Sequence, residues 1–184
     1  MSVINNCFYE LGYRILPDSL SQQLIKYSQE VDDQFYVVLA YKGGTRTIPD
    51  GNCVKLIDDL SPFPELIEIS NKFTITPTQF AIVKQLPNTN VIKHTDRNKK
   101  RSTVIATPLS PIDNFPATHY YTSIESNEKH LTCRWKNFGS VIMNTQQPHG
   151  LTTDDRVRLN FQFSFSETFE EILSLVIKNE LIKS

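Results

Sequence analysis

Residues 156–166 constrain this chain more than any other segment. Val157, Leu159, Phe161, Phe163 and Phe165 alternate there with Arg156, Arg158, Asn160, Gln162 and Ser164. Successive side chains of a strand point to opposite faces, so the pattern predicts a strand with one strongly apolar face and one polar face. Burying the five apolar side chains at about 1.5–3 kcal/mol each makes it a register anchor. In a sandwich, its polar face then looks at solvent or lines a cavity between sheets.

Further strand-like runs crowd the second half of the chain. They cover residues 79–85, 90–95, 101–107, 119–124, 131–135 and 140–144, with one earlier run at 34–41. Turn signals separate them, notably residues 87–90 and the prolines Pro108 and Pro111. Short strands at this spacing suggest a sandwich or barrel. Helical spacing occurs at 19–31, where Ser19 and Gln22 suit a capping box, and at 168–182. A short helix is expected within 56–71, and a Gly-rich loop, a candidate lid, at 42–52. One domain is expected, with 1–75 as a helix/strand support, 76–166 as the β core and 167–184 as a C-terminal helix.

Composition excludes several classes. Lys and Arg number 19 and Asp and Glu 20, for a net charge of -1, so no global basic field attracts nucleic acid. The one local basic run, Lys99-Lys100-Arg101, reads as a solvated loop. Cys7, Cys53 and Cys133 are too far apart for a CxxC zinc site, and their odd count argues against a disulfide framework. The first residues lack a signal-peptide core and no stretch reaches transmembrane length, so a cytoplasmic protein without membrane association is expected.

Two signals about fifty residues apart carry chemistry. His94-Thr95-Asp96 sits at a predicted strand end, where i and i+2 present an imidazole and a carboxylate to one point. His149 follows the apolar run 141–143 and precedes the last strand. Two imidazoles and one carboxylate suit non-haem Fe(II) bound on one face, with the other face open. Arg158, on the polar face of the last strand, is placed to grip the far carboxylate of a 2-oxo acid. His119 and His130 have no partner at ligand spacing, and Tyr120, Tyr121 and Trp135 read as core or rim aromatics.

From about Phe80 to Phe165 the chain resembles the catalytic core of the Fe(II)/2-oxoglutarate-dependent oxygenases. The likeness is to prolyl-hydroxylase-like and aspartyl/asparaginyl β-hydroxylase-like members, including small ones of phage and bacteria. His94 and Asp96 match the family's HxD motif, His149 its distal histidine, and Arg158 the basic residue that binds the co-substrate. Residues 101–110 resemble the strand that follows HxD, and the first 75 residues have no counterpart. The resemblance implies a double-stranded β-helix (jelly roll) with flanking helices. It also implies Fe(II), 2-oxoglutarate as co-substrate and O2, with hydroxylation of a C–H bond and release of succinate and CO2. Arg156 shares the predicted strand face of Arg158 and is an alternative to it. Lys84, Gln85, Thr107 and Asn160 are further candidates for holding 2-oxoglutarate.

Two other readings compete. One is a non-catalytic jelly-roll module that retains a metal site. The other, a cupin-type metalloenzyme, lacks its HxH pair here. The substrate is left open between a protein side chain and a small molecule. The absence of a combined stacking-aromatic and basic motif weighs against nucleic acid. Oligomeric state is open, with the C-terminal helix as a candidate dimer face.

Overall fold

In the computed structural model, the described residues are 6–30, 36–41, 54–56, 60–88, 90–96, 101–111, 115–135 and 139–183. Their elements begin with β1 (Phe8–Glu10), α1 (Asp18–Glu30), β2 (Tyr36–Tyr41), β3 (Val54–Leu56) and α2 (Pro64–Lys72). There follow β4 (Gln79–Gln85), β5 (Asn90–His94), β6 (Thr103–Ser110), β7 (Thr118–Tyr121) and β8 (Lys129–Cys133). The chain closes with β9 (Val141–Asn144), β10 (His149–Thr152), β11 (Arg158–Phe165) and α3 (Phe169–Ile177).

The strands form two sheets. The major one has seven strands in the order β1-β9-β6-β11-β4-β2-β3, and the minor one four in the order β5-β10-β7-β8. All described pairings are antiparallel except β2 with β3. This is the double-stranded β-helix expected from the sequence.

β11 organises the major sheet, flanked along its length by β4 and β6. On one face Phe161, Phe163 and Phe165 are fully buried with Leu159, Phe80, Ile82 and Ile105, against Leu20 and Leu24 of α1, Leu66 of α2 and Ile172 of α3. Phe163 meets Phe73, Phe80 and Phe161 edge-on, with centroids 4.9–5.5 Å apart. On the other face a second cluster fills the space toward the minor sheet: Val104, Ala106, Phe115, Tyr120, Cys133, Trp135, Val141 and Met143. The polar residues of β11 alternate with its phenylalanines and therefore share that inter-sheet side.

Several expectations need correction. α1 starts at Asp18, and the Ser21 N–H donates to the Pro17 carbonyl at 3.0 Å, so Ser19 lies inside the helix and is not its cap. α3 has a complete Thr168–Glu171 capping box. It ends at Ile177, short of 182, because Asn179 turns left-handed (φ 57) and the Glu180 N–H returns to the Leu175 carbonyl. β6 runs through Pro108 to Ser110. Proline is tolerated there because β9 pairs only as far as Ala106 and the β11 pairing has a register break between Leu159 and Asn160. β11 begins at Arg158, so Arg156 precedes the strand. β1, β3 and β10 are additional strands. The candidate lid at 42–52, the run 97–100 and Cys53 lie outside the described residues.

Candidate metal centre

β5 and β10 pair so that His149 stands directly opposite His94, with ring centroids 4.5 Å apart. The next pairing is Leu151 with Val91, which leaves Gly150 opposed by both Ile92 and Lys93, a bulge in β5 beside the site. Only a residue without a side chain fits at Gly150, since a Cβ there would lie 2.8 Å from the Val91 carbonyl oxygen. Asp96 follows β5, and its backbone N–H donates to the Thr145 carbonyl at 2.8 Å, tying it to the end of β9. One ligand atom from each of His94, Asp96 and His149 lies within 4.8 Å of the others.

The two imidazoles are oriented alike. Nδ1 of His94 lies 2.8 Å from the Ile92 carbonyl, and Nδ1 of His149 2.9 Å from the Gln147 carbonyl. A carbonyl only accepts, so each Nδ1 carries a proton and each Nε2 keeps its lone pair for a cation. His94 Nε2 lies 3.5 Å from Asp96 Oδ1.

Electrostatics separate the three groups. Burial pushes the Asp96 carboxyl up, but the Arg101 guanidinium, the His94 hydrogen bond and His149 outweigh it and hold Asp96 well below the usual carboxylate range. The Asp96 hydrogen bond raises the pKa of His94. Burial lowers that of His149. Exposure differs too: the His94 side chain is 44 % exposed, whereas His149 is 9 % exposed, so the cluster opens to solvent on the His94 side.

The inter-sheet side of β11 also holds a buried arginine. Arg158 is 3 % exposed, and its Nη1 donates to Oε1 of Gln85, its register partner on β4. The guanidinium lies 4.4 Å from the Phe115 ring centroid and 5.4 Å from that of Trp135. Burial lowers its pKa. Arg158 Nε, Asn160 Nδ2, Trp135 Nε1 and the hydroxyls of Tyr120 and Thr118 are all buried, without a hydrogen-bond partner among the described residues. Leaving buried donors unpaired costs about 1–3 kcal/mol each, so this set suits a ligand rich in acceptors, such as a carboxylate.

The other sequence candidates divide by face. Gln85 and Asn160 share the inter-sheet side with Arg158. Lys84 points the other way and donates to the Ser28 carbonyl of α1 at 3.5 Å. Thr107 pairs across the sheet with Phe161 on the helix side, 2.6 Å from the Ser140 hydroxyl. Arg156 is bound to Asp154, with Nη2 at 2.7 Å from Oδ2.

Sequence reasoning missed Arg101, and it expected Tyr120 and Trp135 as core or rim aromatics, which they are, without their place beside His149 and Arg158. Arg101 is no solvated loop residue: its side chain is 18 % exposed, with Nε 3.3 Å from Asp96 Oδ2. Tyr120 is fully buried, its ring 5.9 Å from that of His149, and Trp135 frames Arg158. For Tyr120, the alternation of β7 was the available signal.

No protein-family model matches the sequence, and no curated protein matches it. Solved structures do. AviO1 from Streptomyces viridochromogenes Tue57 is 13 % identical with a TM-score of 0.52, over 88 % of this chain and 90 % of that one. The viral collagen prolyl hydroxylase of Paramecium Bursaria Chlorella virus-1 is 9 % identical with a TM-score of 0.51, over 88 % and 94 %. EvdMO1 is 14 % identical with a TM-score of 0.51, over 87 % of this chain but 47 % of its own length. At these identities the shared property is the fold. No described helix is long and apolar enough to cross a membrane.

Proposed function

We propose that this chain is an Fe(II)/2-oxoglutarate-dependent oxygenase that hydroxylates a C–H bond of a protein side chain or a small molecule. The observation that carries this reading is the convergence of His94, Asp96 and His149 within 4.8 Å. A buried arginine, Arg158, on the inter-sheet side of β11 supports it. In this reading those three side chains hold Fe(II). Arg158, braced by Gln85, receives the far carboxylate of 2-oxoglutarate, and Asn160, Trp135 and Tyr120 offer further donors. Arg156, Lys84 and Thr107 take no part, because Asp154, α1 and Ser140 occupy them.

Bound there, iron and 2-oxoglutarate would supply, with O2, the oxidising chemistry that hydroxylates a C–H bond and yields succinate and CO2. The protein supplies orientation and charge. Backbone carbonyls fix both imidazoles in the tautomer that presents Nε2. Asp96 stays ionised. Arg158 is already desolvated, so its attraction for a carboxylate acts in a low-dielectric surrounding and needs little reorganisation on binding. The Phe115 and Trp135 rings flank the guanidinium there. Substrate approaches from the exposed His94 side.

The test is anaerobic titration of the protein with Fe(II) and 2-oxoglutarate, following the visible charge-transfer band of the chelate. A band that requires His94 and whose 2-oxoglutarate affinity falls in Arg158→Ala supports the assignment. Well-folded, iron-loaded protein without a band removes the co-substrate and leaves a metal-binding jelly-roll module.

A further inference from the structure

We infer that Arg101 is a positioning residue that restricts Asp96 to a single cation-facing oxygen, an inference that rests on the reading of Asp96 as a metal ligand. Asp96 Oδ1 faces His94 Nε2 at 3.5 Å, while Oδ2 faces Arg101 Nε at 3.3 Å. The guanidinium is itself held on its far side. Arg101 Nη2 donates to Gln162 Oε1 at 2.5 Å, and Gln162 Nε2 donates to Asn160 Oδ1 at 2.8 Å. The chain of contacts thus runs from the end of β5 across to β11.

Both backbones are tied to one residue. The Thr145 hydroxyl donates to the Arg101 carbonyl at 2.6 Å, and the Thr145 carbonyl accepts from the Asp96 N–H at 2.8 Å. Side chains and backbones together leave the carboxylate little freedom to rotate. A carboxylate with both oxygens free can take a cation through either or both. Oδ2 lies against a planar, braced guanidinium as an ion pair without hydrogen-bond alignment, which leaves Oδ1 as the oxygen turned to the histidines.

Arg101 also repels a dication by its charge, so the two effects have opposite signs, and lysine separates them. Mn(II) alone is titrated into the metal-free protein, without 2-oxoglutarate, and free Mn(II) is read by electron paramagnetic resonance. Positioning predicts that Arg101→Lys, which keeps the charge and loses the planar group bridging Asp96 and Gln162, weakens Mn(II) binding by about 10–100-fold. Arg101→Met does the same, and Gln162→Met gives a smaller loss in the same direction. The visible spectrum of the Co(II)-loaded protein shifts in both Arg101 variants as the second oxygen is released.

Wild-type Mn(II) affinity and Co(II) spectrum in Arg101→Lys, or tighter binding in Arg101→Met, overturn the inference and leave Arg101 a mere charge. Thermal unfolding of the metal-free variants reports folding. Should Arg101→Met not fold, the lysine variant and Gln162→Met still decide. A wild-type protein that binds neither Mn(II) nor Fe(II) overturns the metal-centre reading itself, and this inference with it.

Discussion

His94 and His149 face each other across a single antiparallel pairing, their ring centroids 4.5 Å apart, with each Nδ1 turned to a carbonyl two residues back in its own chain. The cross-strand register therefore brings the two imidazoles together, and local backbone geometry aims them.

Removing either imidazole should abolish metal binding at different structural cost. His94→Ala takes away a half-exposed ring and should leave the unfolding midpoint near wild type. His149→Ala empties a buried position and should lower stability by about 1–3 kcal/mol. Both should weaken Mn(II) binding by more than the about 10–100-fold that outer-shell partners contribute. Calorimetric titration with denaturant melts of the metal-free proteins checks this. Tight Mn(II) binding by His94→Ala would remove the histidine from the centre.

Arg158→Met should separate function from stability. The buried guanidinium is desolvated, and Gln85 is the hydrogen-bond acceptor the structure gives it. Replacing it with an apolar side chain removes that cost, against about 1–3 kcal/mol for leaving Gln85 unpaired. Stability of the metal-free protein should hold or rise, while added 2-oxoglutarate with Mn(II) no longer raises the melting temperature as in wild type. A large loss of stability in this variant would mean that Arg158 is structural.

Gly150→Ala tests the close approach of β10 to β5. The added Cβ would sit 2.8 Å from the Val91 carbonyl oxygen, a backbone atom that moves only with its strand. Destabilisation of about 1–3 kcal/mol is expected, with weaker Mn(II) binding because the same strands carry both imidazoles. Urea melts and metal titration measure the two effects. Unchanged metal affinity would show that the histidines tolerate a shift of the bulge.

Metal affinity should depend on pH through His94. Its pKa lies above the ordinary 6.5 because of Asp96, whereas burial puts that of His149 below it. Protons therefore compete with metal first at His94. Between about pH 8 and about pH 6, Mn(II) affinity should fall, approaching about tenfold per pH unit below the His94 pKa. In the metal-free protein the His94–Asp96 contact acts with the opposite sign. Its stabilising contribution is fully present below 6.5 and is lost as the pH rises through the raised value. A flat affinity profile between these pH values would contradict the assignment of His94.

The parts of the site that depend on strand alternation were legible in the sequence. The apolar face of residues 157–165 put Arg158 and Asn160 on the opposite side. The i, i+2 spacing brought His94 and Asp96 together for a different reason than expected, since β5 ends at His94 and the Asp96 N–H bond to Thr145 places the carboxylate. Lys84 and Gln85 show where that reasoning ends. Adjacent residues on β4 lie on opposite faces, and packing against α1 decides which face is which. β10 escaped detection because Gly150 lowers its strand propensity, yet close approach to β5 demands glycine there. Arg101 looked like part of a solvated charge run because Gln162, which braces it, comes from the distant β11, and because nothing in the local run shows that the chain after β5 turns Asp96 back toward it.

The two faces of β11 bind the chemistry of this protein to its folding. Because side chains alternate, sliding β11 by one residue against β4 and β6 would drive Arg158 into the phenylalanine layer and swing Phe161 toward the minor sheet. Misregistered forms are thus unstable and, on the proposed function, lose the arginine that would receive a carboxylate. On the proposed function, a folding intermediate cannot acquire carboxylate binding ahead of the native pairing, and such binding would report on the alignment of the whole major sheet.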